Sequence, residues 1–455
     1  MKKLQISSYK LQVTNNKPPR PSGTPPFKRR GIIPFSFLLF SFFLFPFSAS
    51  AQSLLDVYKK GVVKLVPDTE YAKDNNWGKV FESYYDTLYQ KHIGARKSLI
   101  ITPNGSVVVS HAYRNYYSQF DASGKFVKEF GITDKSGKQF KKIQAIEGIM
   151  NNTFFTGLDN MGKMLCFDLN GNYEKTLTLN YSTNGIIPMK NNKIAVVGWV
   201  LWKEKIRDFV AIVDFQTNEQ KVIWEQFTKR NDDGNNNALF NYSYRFETGG
   251  MVNITTMPYS SNTGISSPPQ IAFVNDRLIV ALPHTGEIIQ YDINGNQKSK
   301  EKIGWGNHSL SVEEQKEIQR KAIENWSNEK IWMPDGASQE EYKKARETLI
   351  KQMKADLNKI TTPITIPIFS NIIKDSDGNL LFFEMPEKEG GNKFNVWVYQ
   401  NGGQFVCQSS FVCDDYNLVI TPSKMVFHKG YIYALQTLKN AKGNPLRLVR
   451  FKVGN

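Results

Sequence analysis

YYSQFDASGKFVKEF, residues 116–130, is two short strands joined by an Asp-x-x-Gly turn. Aromatic and polar residues alternate on either side, the period of a strand with two different faces. Aspartate at the start of such a turn bonds its own backbone, and glycine supplies the left-handed residue the turn needs. The same unit recurs as KMLCFDLNGNYEKTL at 163–177, and again around Asp214-Phe-Gln-Thr217. Asp121, Asp168 and Asp214 are 47 and 46 residues apart. Repeats of about 40 to 50 residues mark propeller blades.

Working outward, six copies can be aligned. Each opens with a strand rich in β-branched residues: Ser106–Ser110, Thr153–Thr156, Lys193–Val197, Arg277–Ala281, Asn379–Phe383 and Tyr431–Ala434. We take these as the inner strands. A second strand and the hairpin follow in each. A lone small sheet with two apolar faces cannot stand in water, whereas a closed ring of such sheets buries both faces. The expectation is an all-β, six-bladed β-propeller over residues 52–455. The competing architecture is a β-sandwich or a non-closing stack, which the regular period disfavours. The last copy stops after its penultimate strand, so a segment before copy one must close the ring. Val62-Val-Lys-Leu65 and Lys79-Val-Phe-Glu82 are the two candidates.

Two insertions break the period. The first spans Lys229 to Pro269, with Phe240, Tyr242, Tyr244 and Phe246 alternating along one face. It reads either as an extra outer strand or as a loop over one end of the ring. The second, 309–358, is helical. Ser311 with Glu314 and Ser338 with Glu341 are capping boxes. Ile318, Ala322 and Trp326 form one stripe, and Tyr342, Ala345, Leu349, Met353 and Leu357 another. A helical hairpin leaning on a blade is expected between copies four and five.

The chain also begins like an exported one. Residues 1–51 hold eight basic and no acidic residues, an apolar run from Ile32 to Phe47, and an Ala49-Ser-Ala51 exit. Those are the three parts of a signal peptide, and they point to a secreted or periplasmic protein. An uncleaved anchor is the alternative; the run is short of the roughly 20 residues a span needs. The whole chain carries a net charge of +16, and the remaining 404 residues hold 50 basic and 42 acidic ones, leaving +8. These charges are interspersed, which argues against a nucleic-acid partner.

The Asn-Gly or Asn-Asp turns, the aromatic-Asp-x-x-Gly hairpin and the export segment together resemble secreted six-bladed β-propeller proteins of Bacteroidetes-type bacteria. The resemblance covers residues 95–455. It implies lipoproteins, substrate-binding proteins and uncharacterised surface proteins as relatives, although no lipid-attachment cysteine follows the apolar run here. It carries over no catalytic residue.

Candidate chemistry gathers after the β-branched strands. His111 and His284 hold matching positions in copies one and four. Tyr113, Arg114, Trp199, Trp202 and Glu384 occupy the analogous stretches of copies one, three and five. An aromatic, charged ring mouth suits a glycan, a peptide or a partner protein. Glu147, Asp159, Glu204 and Glu384 are the acids to test for the alternative, a carbohydrate hydrolase or lyase with carboxylates from different blades. The five histidines, His92, His111, His284, His308 and His428, show no metal-ligand spacing. Asp375-Ser-Asp-Gly378 lacks the closing glutamate of a calcium loop, since the twelfth position is Pro386. No cofactor, metal or membrane span in the mature part is expected, and a monomer is. Whether the protein is an enzyme is left open. Cys407 and Cys413 are close enough in sequence to pair across a short turn, which export permits; Cys166 is left as a buried packing residue.

Overall fold

The computed structural model describes residues 53–82, 85–86, 91–92, 97–111, 116–131, 136, 143–151, 153–158, 163–202, 205–229, 240–256, 268–304, 309–328, 337–384, 393–400, 403–420 and 424–454. The proposed export segment lies outside them. The chain starts with helix α1 (Leu54–Tyr58), strand β1 (Val62–Pro67), helix α2 (Trp77–Val80) and a short pair, β2 (Tyr85–Asp86) and β3 (Lys91–His92). Four antiparallel four-stranded blades follow. Blade one is β4 (Lys97–Ile101), β5 (Val107–His111), β6 (Tyr116–Phe120) and β7 (Phe126–Gly131). Blade two is β8 (Ile143–Met150), β9 (Thr153–Leu158), β10 (Lys163–Asp168) and β11 (Tyr173–Thr178). Blade three is β12 (Ser182–Pro188), β13 (Lys193–Trp202), β14 (Lys205–Asp214) and β15 (Gln220–Lys229). The hairpin β16 (Phe240–Arg245) and β17 (Met251–Thr256) precedes blade four, which is β18 (Gln270–Val274), β19 (Arg277–Leu282), β20 (Glu287–Tyr291) and β21 (Gln297–Lys302).

The rest is not two further blades. After β22 (Ser309–Leu310), α3 (Val312–Asn328), α4 (Gln339–Asp356) and β23 (Ile364–Thr365) come β24 (Phe369–Lys374), β25 (Leu380–Glu384), β26 (Lys393–Gln400), β27 (Gln404–Val412), β28 (Tyr416–Asn417), β29 (Met425–His428), β30 (Tyr431–Leu438) and β31 (Leu446–Gly454). With β1 they form one nine-stranded sheet. β1 is the cause. It pairs antiparallel with β31, Leu65 opposite Val453, and parallel with β27, Val63 opposite Phe411. The architecture is therefore four blades plus a long curled sheet, and the six-bladed expectation is corrected: one strand satisfies two sheet edges at once and fuses what the repeats kept apart. The first strands of the blades touch in chain order, and β24 and β29 of the long sheet touch β18 and β4, so the long sheet occupies the rest of the ring.

Of the two ring-closing candidates, Val62–Leu65 is the strand. Lys79–Glu82 overlaps α2, whose N-cap is Asn76. Val63 and Leu65 are buried in a core shared by β25, β26, β27, β30 and β31. The β-branched strand of each copy is the second strand, not the inner one. β19 shows why it is so apolar: Leu278, Ile279, Val280 and Ala281 are all fully buried. Leu278 and Val280 face blade three, while Ile279 and Ala281 face the long sheet. The truly innermost strands are weaker in pattern, as in Ser182–Pro188, whose residues are mostly half-exposed.

The Asp-x-x-Gly turns do more than reverse the chain. The Asp168 carboxylate accepts from the Asn170 and Asn172 amides at 2.8 Å each. Gly171 has φ +88°, and a Cβ there would stand 2.6 Å from the Phe130 ring of blade one. Gly295 of blade four meets Ile223 of blade three in the same way, at 2.5 Å. These two turns thus lock onto the outer strand of the preceding blade. Asp375-Ser-Asp-Gly378 is likewise a hairpin turn between β24 and β25, with Asp375 accepting from the Asp377 and Asn379 amides.

The two insertions fold on each other. Tyr242, Phe246 and Val252 of the β16–β17 hairpin pack against Ile323, Ala345, Leu349 and Met353 of the helices. The helices lean on the first insertion rather than on a blade, because its aromatic face needs cover as much as their apolar stripe does. Ser311 and Glu314 form the reciprocal cap, at 2.8 and 3.2 Å. Ser338 caps the Glu341 amide, but the Glu341 carboxylate accepts from the Glu247 backbone instead, tying helix to hairpin. Among the described side chains of α3, Gln315, Gln319 and Ile323 are buried and Ile318 is only half-buried; those of Ala322 and Trp326 lie outside the described residues.

Cys407 and Cys413 are free. No turn separates them: β27 runs straight from Gln404 to Val412. Six residues of extended strand span about 20 Å, against the roughly 7 Å a disulfide allows. Cys166 is fully buried, and burial pushes its thiol up to about 12. No helix among the described residues is long and apolar enough to cross a membrane.

Candidate functional site at the ends of the second strands

Every blade reverses direction strand by strand, so the ends of the second strands lie towards one side of the ring. His111 ends β5, Trp199 and Trp202 end β13, His284 lies in the β19–β20 turn, and Glu384 ends β25. Tyr113 and Arg114 lie outside the described residues, as do Asp159, Glu204 and His308. The side chains of His111 and Glu147 are also outside the description.

The Glu384 carboxylate is held by its own sheet. It accepts from Asn395 Nδ2 at 2.9 Å, from Gln408 Nε2 at 3.3 Å and from the Trp397 indole. These donors sit on β26 and β27, so the side chain lies along its own sheet and braces three strands. His284 is half-buried in a turn whose Pro283 carbonyl accepts from the Ile368 amide at 2.8 Å. That bond ties the end of blade four to the long sheet. Among the described residues no cluster of His, Cys, Asp and Glu could hold a metal ion.

Blade three differs. β13, β14 and β15 have ten residues each, while β12 has seven and its first residue, Ser182, stands opposite Trp199. Everything in β13 beyond Trp199 projects past the inner strand. The register puts Trp199 opposite Asp208, Val200 opposite Arg207, Leu201 opposite Ile206 and Trp202 opposite Lys205. Phe227 of β15 stands opposite Arg207. Trp199 and Leu201 continue the face that Ala195 and Val197 turn towards blade four. Trp202 and Phe227 continue the face that Ile194 and Val196 turn towards blade two. Beyond Trp199 no described inner strand lies beneath, and both faces meet solvent: Leu201 is 49%, Trp202 57% and Phe227 47% exposed, and Trp199, at the last inner-strand pair, is 37% exposed.

Charged groups are interleaved with these rings. Arg207 pairs with Glu225 at 2.6 Å and stacks over Phe209 and Phe227 at 5.2 and 6.0 Å. Asp208 is buried beside Trp199, with no hydrogen bond or ion pair to any described residue. Burial raises its pKa. Trp199 and Trp202 were legible as aromatics at a strand end. Leu201, Phe227 and Asp208 were not, because register across three strands brings them together. The one sequence signal for Asp208 is a charge set directly before the apolar run Phe209–Val213.

No protein-family model matches the sequence, and no curated protein matches it. Among solved structures, the chain is similar to a member of the DUF4221 family from Bacteroides vulgatus. That match has 12% identity and a TM-score of 0.44 over 79% of this chain and 93% of the other. It is also similar to a catalytically inactive virginiamycin B lyase from Staphylococcus aureus, at 12% identity and 0.33 over 79% and 96%. A third likeness is to BamB from Moraxella catarrhalis, at 11% and 0.31 over 80% and 85%. These likenesses are distant, and no residue role is taken from them.

Proposed function

We propose that this is an exported binding protein that holds a peptide or a partner protein on the projecting tip of blade three. The observation that carries the reading is the end of blade three, where β13–β15 outrun β12 and Trp199, Leu201, Trp202 and Phe227 are exposed to solvent. Exposed apolar clusters of this kind, rimmed by charge, are where proteins dock, and tryptophan is the strongest contributor at such contacts. The rigid ring beneath lets the tip bind with little ordering cost. Export rests on residues 1–51, and cleavage after Ala51 would leave Gln52 at the mature terminus. N-terminal sequencing of the secreted protein checks this, and an intact Met1 overturns it.

The binding test pans a displayed peptide library on the purified protein. Apolar, aromatic-rich peptides are expected, bound about tenfold or more weakly when Trp199 and Trp202 are both replaced by serine. Both residues are exposed, so the variant's unfolding midpoint should stay put. Failure to enrich any peptide, or enrichment indifferent to the tryptophans, overturns the reading.

Asp208 favours a second reading, a propeller-type hydrolase or lyase acting on a carbohydrate. Burial favours the protonated form of this acid, the form a general acid needs. Reducing-end or unsaturated products from polysaccharides, lost in Asp208→Asn with folding intact, would put this reading first.

A further inference from the structure

The seam between blade four and the long sheet has one turn unlike its counterparts. In blades one, two and four the glycine of the turn between the third and fourth strands closes on an apolar side chain: Gly124 on Tyr71 and Ala72, Gly171 on Phe130, Gly295 on Ile223. At this seam the turn glycine is Gly403, between β26 and β27. A Cβ there would meet Gln290 Nε2 at 2.8 Å and the Glu301 carboxylate at 3.3 and 3.4 Å. An amide and a carboxylate stand where those three turns meet hydrocarbon. Glu301 makes no hydrogen bond or ion pair with any described residue.

Three rings flank that carboxylate. Trp397, Tyr399 and Phe405 lie on the side of the long sheet that faces blade four. Phe405 lies 5.3 Å from the Trp397 ring and 5.6 Å from the Tyr399 ring, tilted by 46° and 62°. Phe405 is 47% exposed although it sits between two other aromatics. The rings, Gly403 and Glu301 line a cleft of about 320 Å³. That is the lower end of the size range for small-ligand pockets.

We infer that this cleft is a binding site for a neutral glycan. The apolar face of a pyranose ring covers Phe405 and Trp397, and its hydroxyls donate to Glu301. Flat aromatic surface and an acceptor at its edge match a ligand with an apolar face and a hydroxyl rim. A proline-rich peptide also suits an aromatic groove, but its prolines bring no N–H to the carboxylate, whereas every hydroxyl of a sugar can donate. The cleft is separate from the blade-three tip and owes nothing to Trp199 or Trp202.

The test uses saturation-transfer NMR and calorimetry with cello-, malto-, xylo- and chito-tetraose as probes, and a polyproline peptide as the competing probe. At least one tetrasaccharide is expected to bind. Phe405→Ala and Glu301→Gln should each weaken it about tenfold, and the Trp199→Ser, Trp202→Ser variant should bind as the wild type does. Both cleft side chains are exposed, and an unchanged unfolding midpoint confirms that the variants fold. Absence of binding by all four saccharides overturns the inference. So does binding unaffected by both cleft variants, binding lost in the tryptophan variant, or polyproline binding in the saccharides' place.

Discussion

Leu65→Asp is expected to abolish the cooperatively folded protein. Leu65 is 1% exposed and packs with Val63 into the core shared by β25, β26, β27, β30 and β31. A carboxylate there has no partner, and an unpaired buried charge is among the few single changes that cost more than about 4 kcal/mol. The damage should not stay local. β1 is hydrogen-bonded on both edges, to β27 and to β31. Losing it opens two strand edges and splits the nine-stranded sheet. Urea unfolding followed by circular dichroism measures the loss, and hydrogen exchange locates it: amides of β27 and β31 should lose protection together. The volume-conserving Leu65→Met should cost under about 1.5 kcal/mol. If Leu65→Asp keeps the wild-type midpoint, β1 does not close the ring.

Arg450→Ala is expected to destabilise the protein by about 1.5–3 kcal/mol, the range for hydrogen bonds to a charged group. Arg450 donates to Asp68 through Nε at 3.0 Å and through a terminal nitrogen at 2.6 Å. The side chains are only 21% and 6% exposed. The guanidinium also lies over the rings of Tyr71 and Tyr431, at 4.6 and 4.5 Å. The pair links the residue after β1 to β31, so it clamps the same closure that Leu65 fills. Arg450→Lys should recover only part of the loss, because an ammonium cannot make the two-pronged contact.

The clamp also sets a pH dependence. Burial alone would raise the Asp68 carboxyl, but the hydrogen bond and charge of Arg450, with the Glu70 amide and Lys452, outweigh it and hold the pKa below its usual value. A carboxyl lowered on folding stabilises the fold above its unfolded pKa, about 3.9 for aspartate. That contribution fades as pH falls through the folded value. The gap in stability between wild type and Arg450→Ala should therefore be full at neutral pH and narrow in strong acid. A gap that stays constant down to the acid limit would mean that Arg450 acts through its ring contacts alone.

Much of the body was legible in the sequence because its signals are local. Aspartate and glycine three positions apart make a turn through their own backbone bonds, wherever the turn ends up. The second strands were legible too, since burial on both faces demands an apolar run such as Leu278–Ala281. Helix caps at Ser311 and Ser338 were legible for the same reason. The first strands were harder, because residues such as those of Ser182–Pro188 are half-exposed and carry no firm alternation. The candidate site was legible only in its tryptophans. Glu384 looked free because its three donors lie 11 to 24 residues downstream, on strands whose register the sequence does not state.

By itself, then, the sequence determined that the body is a set of like strand-and-turn units, with two insertions and a strand near its start to complete the last unit. Local hydrogen bonds and the period of burial are enough for that. Only the tertiary structure decided that Val62–Pro67 bonds two edges, so that four blades and one long sheet result. It also paired the two insertions with each other, kept Cys407 and Cys413 apart, and left the tip of blade three uncovered. Each of these depends on which surfaces meet across long stretches of chain, and the alternation of a strand says which residues share a face, never what the face will touch.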